Sequence, residues 1–173
     1  KKNILNNLEL IKFFADTWVS IDAYDKDALP TSGASKKQVK VTANDLEVAL
    51  IQFRIELAKS GEVGDLFGSE RQRGSVAGIV GNVFQSFVGK DLYPSVEEKA
   101  AHLLYFMIKN NPYGDGNKRH GAFTFIWFLR KAGLLNTDKM TPTALTALTL
   151  LIAESNPSHK DRMVGLVLML LKK

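Results

Sequence analysis

Apolar residues recur along most of this chain at helical spacing. Ile4, Leu5, Leu8, Ile11, Phe14, Ala15 and Trp18 share one face of a first helix, Ile4–Trp18. Leu46, Ala49, Leu50, Phe53 and Leu57 share one face of a second, capped by Thr42 or Asn44 and running to about Lys59. Ala77–Phe87 repeats its apolar positions with a helical period, although Gly78 and Gly81 weaken it. Ser95, with Glu98 three residues on and Pro94 before it, predicts a capping box that opens a helix through Lys109. The apolar run Gly121–Leu129 reads as a buried helix ending near Gly133, a natural C′ glycine. Thr141-Pro142 supplies an N-cap and a proline at the first helical position, starting a helix to about Glu154. Asn156-Pro157 breaks the pattern, and Ser158 caps a last helix, Met163–Leu171.

Between these segments the chain is polar. Asp25–Lys40 holds Pro30, Gly33, serines and lysines and reads as an exposed loop. Gly61–Gly74 is glycine-rich and charged, with Arg71 and Arg73, and reads as a surface loop. Strand signals are sparse. The expected fold is therefore an all-α helical bundle, with at most one short β-hairpin within Gly64–Ser75.

The length of 173 residues suits a single domain with a substantial core. The absence of cysteine excludes a disulfide framework and a thiolate metal site, and suits a reducing compartment. The longest apolar runs fall well short of the ~20 residues a membrane span needs. The opening Lys1-Lys2, without methionine, predicts a domain excised from a longer chain. A formal charge of +5 fits a polyphosphate ligand, an acidic partner or RNA. A solvated lysine-rich surface is the plainer reading, and no RNA-binding aromatic motif interleaves with the lysines.

The chemistry concentrates in Asn111-Pro-Tyr-Gly-Asp-Gly-Asn-Lys-Arg119. Pro112, Gly114 and Gly116 make a tight turn. The turn delivers Gly116, Asn117, Lys118 and Arg119 to a helix N-terminus, where free N–H groups and the helix dipole favour an anion. Arginine grips phosphate through a bidentate fork, and Asp115 is placed to hold a divalent cation beside it. These residue types point to a phosphate chain with its magnesium, such as ATP with Mg.

This segment resembles the signature of the Fic/Doc family, His-Pro-Phe-x-Asp-Gly-Asn-Lys/Gly-Arg, with Tyr113 at the phenylalanine and Asn111 at the catalytic histidine. Asp91–Phe106 and Leu148–Ser155 are similar to the C-terminal Fic domains of RhuM-type virulence proteins, and the likeness in layout extends over roughly Asn3 to Leu171. The resemblance implies a helical bundle with a small hairpin flap, and a cytoplasmic bacterial protein, in some cases delivered to a host. It implies transfer of AMP or phosphate from ATP to a protein hydroxyl. Asp115 would bind the metal, Asn117 fix the loop and Arg119 grip phosphate. Lys118 matches the Doc-type kinases, although their motif has alanine at the place of Gly116. The second arginine of the AMP-transferring signature would fall at Ala122. AMP and phosphate transfer therefore both stay open. The resemblance also implies a target peptide docked as an added strand on a flap, here Gly64–Ser75, and a separate antitoxin-like inhibitor. The family's inhibitory Ser/Thr-x-x-x-Glu pattern has no match around Glu154.

Asn111 decides the activity. A histidine there would accept the target hydroxyl's proton, which an amide cannot do. Three readings follow: a substitution made to silence a toxic protein, a natural degenerate copy acting as a silent nucleotide-binding or protein-interaction module, and a rewired enzyme. His120, on the first turn of the next helix, reads as an exposed or half-buried residue. Phe123, Phe125, Trp127 and Phe128 read as core, and Tyr113 as an anchor of the loop.

Overall fold

A computed structural model describes residues 2–61 and 63–172. In chain order the helices are α1 (Lys2–Asp25), α2 (Ala43–Lys59), α3 (Ser75–Val83), α4 (Val96–Lys109), α5 (Asn117–Lys131), α6 (Pro142–Glu154) and α7 (Lys160–Leu171). Two short strands, β1 (Ser86–Phe87) and β2 (Lys90–Asp91), form an antiparallel pair between α3 and α4. The expectation of an all-α bundle with one small hairpin holds.

Local signals start these helices where the sequence places them. Thr42 accepts from the Asp45 N–H at 3.0 Å while the Asp45 carboxylate accepts from the Thr42 N–H at 2.9 Å, a reciprocal capping box. Ser95 accepts from the Glu98 N–H at 3.1 Å and donates its hydroxyl to the Glu98 carboxylate at 2.8 Å. Thr141 caps α6 through the Ala144 N–H. Ser95 is buried, and Ser95→Ala is expected to cost about 1 kcal/mol of stability, measured by urea denaturation.

α4 is the central helix. Ala100, Leu103, Leu104 and Met107 are fully enclosed, with α5, α6, α7 and α3 packed around them. Its closest partner is α5, and Gly121 permits the approach: a β-carbon there would lie 3.0 Å from Ile108 and 3.3 Å from Met107. Phe125, Phe128 and Leu129 of α5 complete the core, with Phe123 and Trp127 packed half-buried at its edge. One apolar cluster therefore holds α4 and α5 rigidly on either side of the turn at 111–116.

Several expectations need correction. The hairpin lies at Ser86–Asp91, not within Gly64–Ser75. Its two-residue turn is Val88-Gly89, both at positive φ (52° and 76°), which leaves Phe87 and Val88 exposed at the tip. The helix expected to reach Phe87 stops at Val83, because the chain turns into this hairpin. The first helix runs on past Trp18 to Asp25, since no breaker intervenes. The last begins at Lys160, behind a short 3₁₀ turn at Pro157–His159. There Asn156, not Ser158, makes the capping contact, accepting from the Ser158 N–H at 2.9 Å. The loop after α1 is irregular as expected, but it is tied down: Leu29 packs against Gly165, and the Gly33 and Ser35 amides donate to Glu98 and Glu97.

Candidate functional site

The turn between α4 and α5 is built largely from main-chain hydrogen bonds. Asn117 clasps it from below: its Oδ1 accepts from the Tyr113 N–H at 2.9 Å and its Nδ2 donates to the Tyr113 carbonyl at 3.0 Å. Residues 66–71 cross over it as a turn-containing loop, in which the Ser69 N–H donates back to the Leu66 carbonyl at 3.1 Å and Gly68 sits at φ 72°. The Gly68 N–H donates to the Asp115 carbonyl at 3.1 Å, the Gly114 N–H to the Ser69 carbonyl at 2.9 Å, and the Arg71 N–H to the Pro112 carbonyl at 2.8 Å. Arg71 Nε adds a bond to the Tyr113 carbonyl at 2.9 Å. The stretch in which the sequence suggested a hairpin is thus a loop tied to the turn by two isolated bridges, Phe67–Asp115 in the parallel sense and Glu70–Tyr113 in the antiparallel sense.

Gly116 is the N-cap of α5 and adopts φ 88°, ψ 18°, a conformation that favours glycine. No side chain caps α5, so its first N–H groups face an open cleft of about 460 Å³. The cleft is lined by Asn111, Gly114, Asp115, Gly116, Asn117, Lys118 and Arg119, with Ile108 and Lys109 of α4 and Ala153 and Glu154 of α6. Every site residue named from the sequence lies on this one cleft.

Arg119 lies over the Phe67 ring, its guanidinium carbon 4.4 Å from the centroid. Its Nη2 stands 3.9 Å from the Asp115 carboxylate. Both side chains are about half exposed, so that ion pair is weak and both groups remain open to a ligand. Asn111 is exposed and sits at φ 47°. Its side chain makes two contacts of 3.4 Å, donating to the Lys109 carbonyl and accepting from Asn117 Nδ2. Among the described residues no cluster of three or more His, Cys, Asp or Glu could hold a metal by itself. Asp115 and Glu154 are the carboxylates of the cleft.

His120 departs from expectation: it is fully buried. Its ring packs against Tyr113 (centroids 4.3 Å apart), Phe67 (4.6 Å) and Phe53 (5.3 Å). Nδ1 lies 2.7 Å from the Gly116 carbonyl, so it donates there in the neutral ring. Nε2 is sealed beneath Gly68 and does not reach the cleft. Burial pushes the His120 pKa down to about 4 from 6.5; Arg54 and Arg119 reinforce this, and the bond to Gly116 opposes it. Tyr113 is equally enclosed, and burial pushes its phenol up. It anchors the turn, as the sequence suggested.

The His120 shift has a stability consequence. The unfolded chain takes up a proton near pH 6.5, the folded chain only near pH 4. The stabilisation is complete above pH 6.5 and is lost as pH falls to about 4, on the order of 3 kcal/mol. His120→Gln, which keeps a donor toward the Gly116 carbonyl, is expected to flatten that part of the stability–pH curve, read as urea midpoints from pH 7.5 to 4.

Two contributors to the cleft carry no sequence signal. Lys109 Nζ donates to the carbonyls of Ala153 (3.3 Å) and Ser155 (2.6 Å), fastening the end of α6 beside the turn and bringing Glu154 to the cleft. Phe67 arrives from the overlying segment. Both contacts join residues more than forty positions apart, beyond any local pattern.

Residues 45–129 match the model of the Fic/DOC family. No curated protein and no solved structure matches the chain.

Proposed function

The chain carries a Fic/DOC family domain over residues 45–129, and from that premise we propose that the cleft binds ATP, or another nucleoside triphosphate, with magnesium. Domains of this family generally transfer a nucleoside monophosphate or a phosphate to proteins. The observation that carries the reading is the uncapped N-terminus of α5, with Lys118 and Arg119 on the helix it opens and Asp115 beside it. Open N–H groups, the helix dipole and two cations suit a polyphosphate. A single carboxylate next to phosphates is a common magnesium arrangement, which fits Asp115. Magnesium bound there would neutralise phosphate charge.

In this reading Arg119 holds phosphate, Asn117 keeps the turn in shape, and Gly114 and Gly116 let the ligand approach the backbone. The acceptor is a protein hydroxyl, with the target docked along the segment within Gly64–Ser75, and a separate antitoxin-like protein as inhibitor. Lys118 favours a Doc-type phosphate transfer, Gly116 an AMP transfer, so the transferred group is AMP or phosphate. Asn111 leaves the hydroxyl without a base, and the chain as it stands is inactive or impaired. That same residue favours a second reading, a catalytically silent nucleotide-binding or protein-interaction module.

Calorimetry tests the binding step. Arg119→Ala is expected to weaken magnesium–nucleotide binding by ~1.5–3 kcal/mol, the worth of a charge-assisted contact. Asp115→Asn is expected to abolish its magnesium dependence. No binding by the parent at millimolar nucleotide would overturn the reading.

A further inference from the structure

Over its described side chains α1 leaves its apolar face uncovered. Ile11, Phe14, Trp18 and Ile21 are spaced by three, four and three residues, and each is more than half exposed. Leu8 and Val19 widen the stripe at 58% and 60% exposure. The C-terminal end of α1 is fastened to the bundle, where the Arg162 guanidinium lies 5.1 Å from the Tyr24 ring centroid and Tyr24 packs on the core. Among the described residues no other helix lies along the stripe itself.

That arrangement is unfavourable for a monomer. A helix without tertiary packing is marginal in water, because most helical stability comes from burying an apolar face. The exposed side chains present on the order of 700 Å² of apolar surface, above the ~300–600 Å² of the largest patch on a typical monomer. It comes close to the ~800 Å² that each partner contributes to a stable interface. The spacing specifies what fits. A three-four repeat is the seam that inserts its side chains between those of a facing helix with the same repeat. Among the described helices α1 leaves the longest such seam open; the nearest rival, Val48, Ile51 and Ile55 of α2, is one residue shorter.

We propose that α1 is a dimerisation helix whose occupant is α1 of a second copy of this chain, paired across a two-fold axis. The same patch then serves both copies, and the contact closes on itself. Phe14 and Trp18, the large aromatic residues near the middle of the stripe, are the anchors of the contact. The cleft on α5 and α6 lies on other elements, so the dimer does not depend on what the cleft binds.

Light scattering on a sizing column, with the chain loaded at about 50 μM, tests this within the standard-interface regime. The parent is expected at twice the chain's 19.2 kDa, and Phe14→Glu/Trp18→Glu at 19.2 kDa. The double variant should still unfold in one cooperative denaturant transition, because these side chains leave the core untouched. The control Val48→Glu/Ile55→Glu should remain dimeric. A parent mass of 19.2 kDa overturns the proposal and assigns the stripe to a different occupant. A double variant that stays at twice the mass, or a control that dissociates, places the contact elsewhere and overturns it equally.

Discussion

Asn111→His is expected to raise transfer of a labelled group to protein by about 10²–10⁴-fold, the usual worth of a general base. The substitution is local. Asn111 is exposed and holds its neighbours through contacts of 3.4 Å, and both asparagine and histidine tolerate the positive φ of 47° at this position. An imidazole there would stand at the mouth of the cleft, beside the open N-terminus of α5. Neither ring buried behind the turn can take the role. His120 is sealed behind Gly68 with Nδ1 committed to Gly116, and Tyr113 is buried with a raised pKa. The assay incubates each form with a lysate and ATP labelled at the α- or the γ-phosphate. Label retained from the α position identifies AMP transfer, and from the γ position phosphate transfer. Equal labelling by the Asn111 form would show that the reaction needs no base at this position.

Gly116→Ala is expected to destabilise the fold by about 2–5 kcal/mol and to weaken nucleotide binding with it. Two costs combine. An alanine in the left-handed region costs ~1–2 kcal/mol, and an added methyl in a packed site typically ~1–3 kcal/mol. The second applies because a β-carbon at Gly116 would overlap the Phe67 ring and lie 3.1 Å from His120 Nδ1. Neither aromatic ring can yield, since each packs against the other and against Phe53. Gly114→Ala is the control. Its β-carbon would sit at an ordinary 3.4 Å from Leu66, on an exposed residue. Guanidinium midpoints for the two variants separate turn strain from a general intolerance of change. A Gly116→Ala protein as stable as Gly114→Ala would show that the turn relaxes freely.

What could be read from the chain was governed by distance along it. Thr42, Ser95 and Thr141 announce their helices because a cap is satisfied three residues away. The site was legible for a similar reason: the residues from Asn111 to Arg119 are consecutive, and one turn brings them together. The hairpin was misplaced because its turn is Val88-Gly89. A β-branched residue is a poor occupant of positive φ, so the usual asparagine–glycine signal is missing. The glycines at 64–74 drew the expectation instead, while serving a different end: Gly68 makes room for Arg54 and His120. His120 was misjudged because its burial depends on Phe53 and Phe67, which reach it from other segments. Glu154 was read only as part of a missing inhibitory pattern. Its place on the cleft depends on Lys109 gripping the end of α6.

The way the turn is fastened bears on how this site can change over generations. Its shape comes from main-chain bonds at Pro112, Tyr113, Gly114 and Asp115 and from the Asn117 clasp, with the side chain at 111 adding little. Scaffold and reactivity are therefore nearly independent in heredity. A lineage can gain or lose the base at 111 in a single step without passing through unfolded intermediates. The residue found there answers to the reaction and to the positive φ of 47°, while Gly116 and Asn117 answer to the architecture.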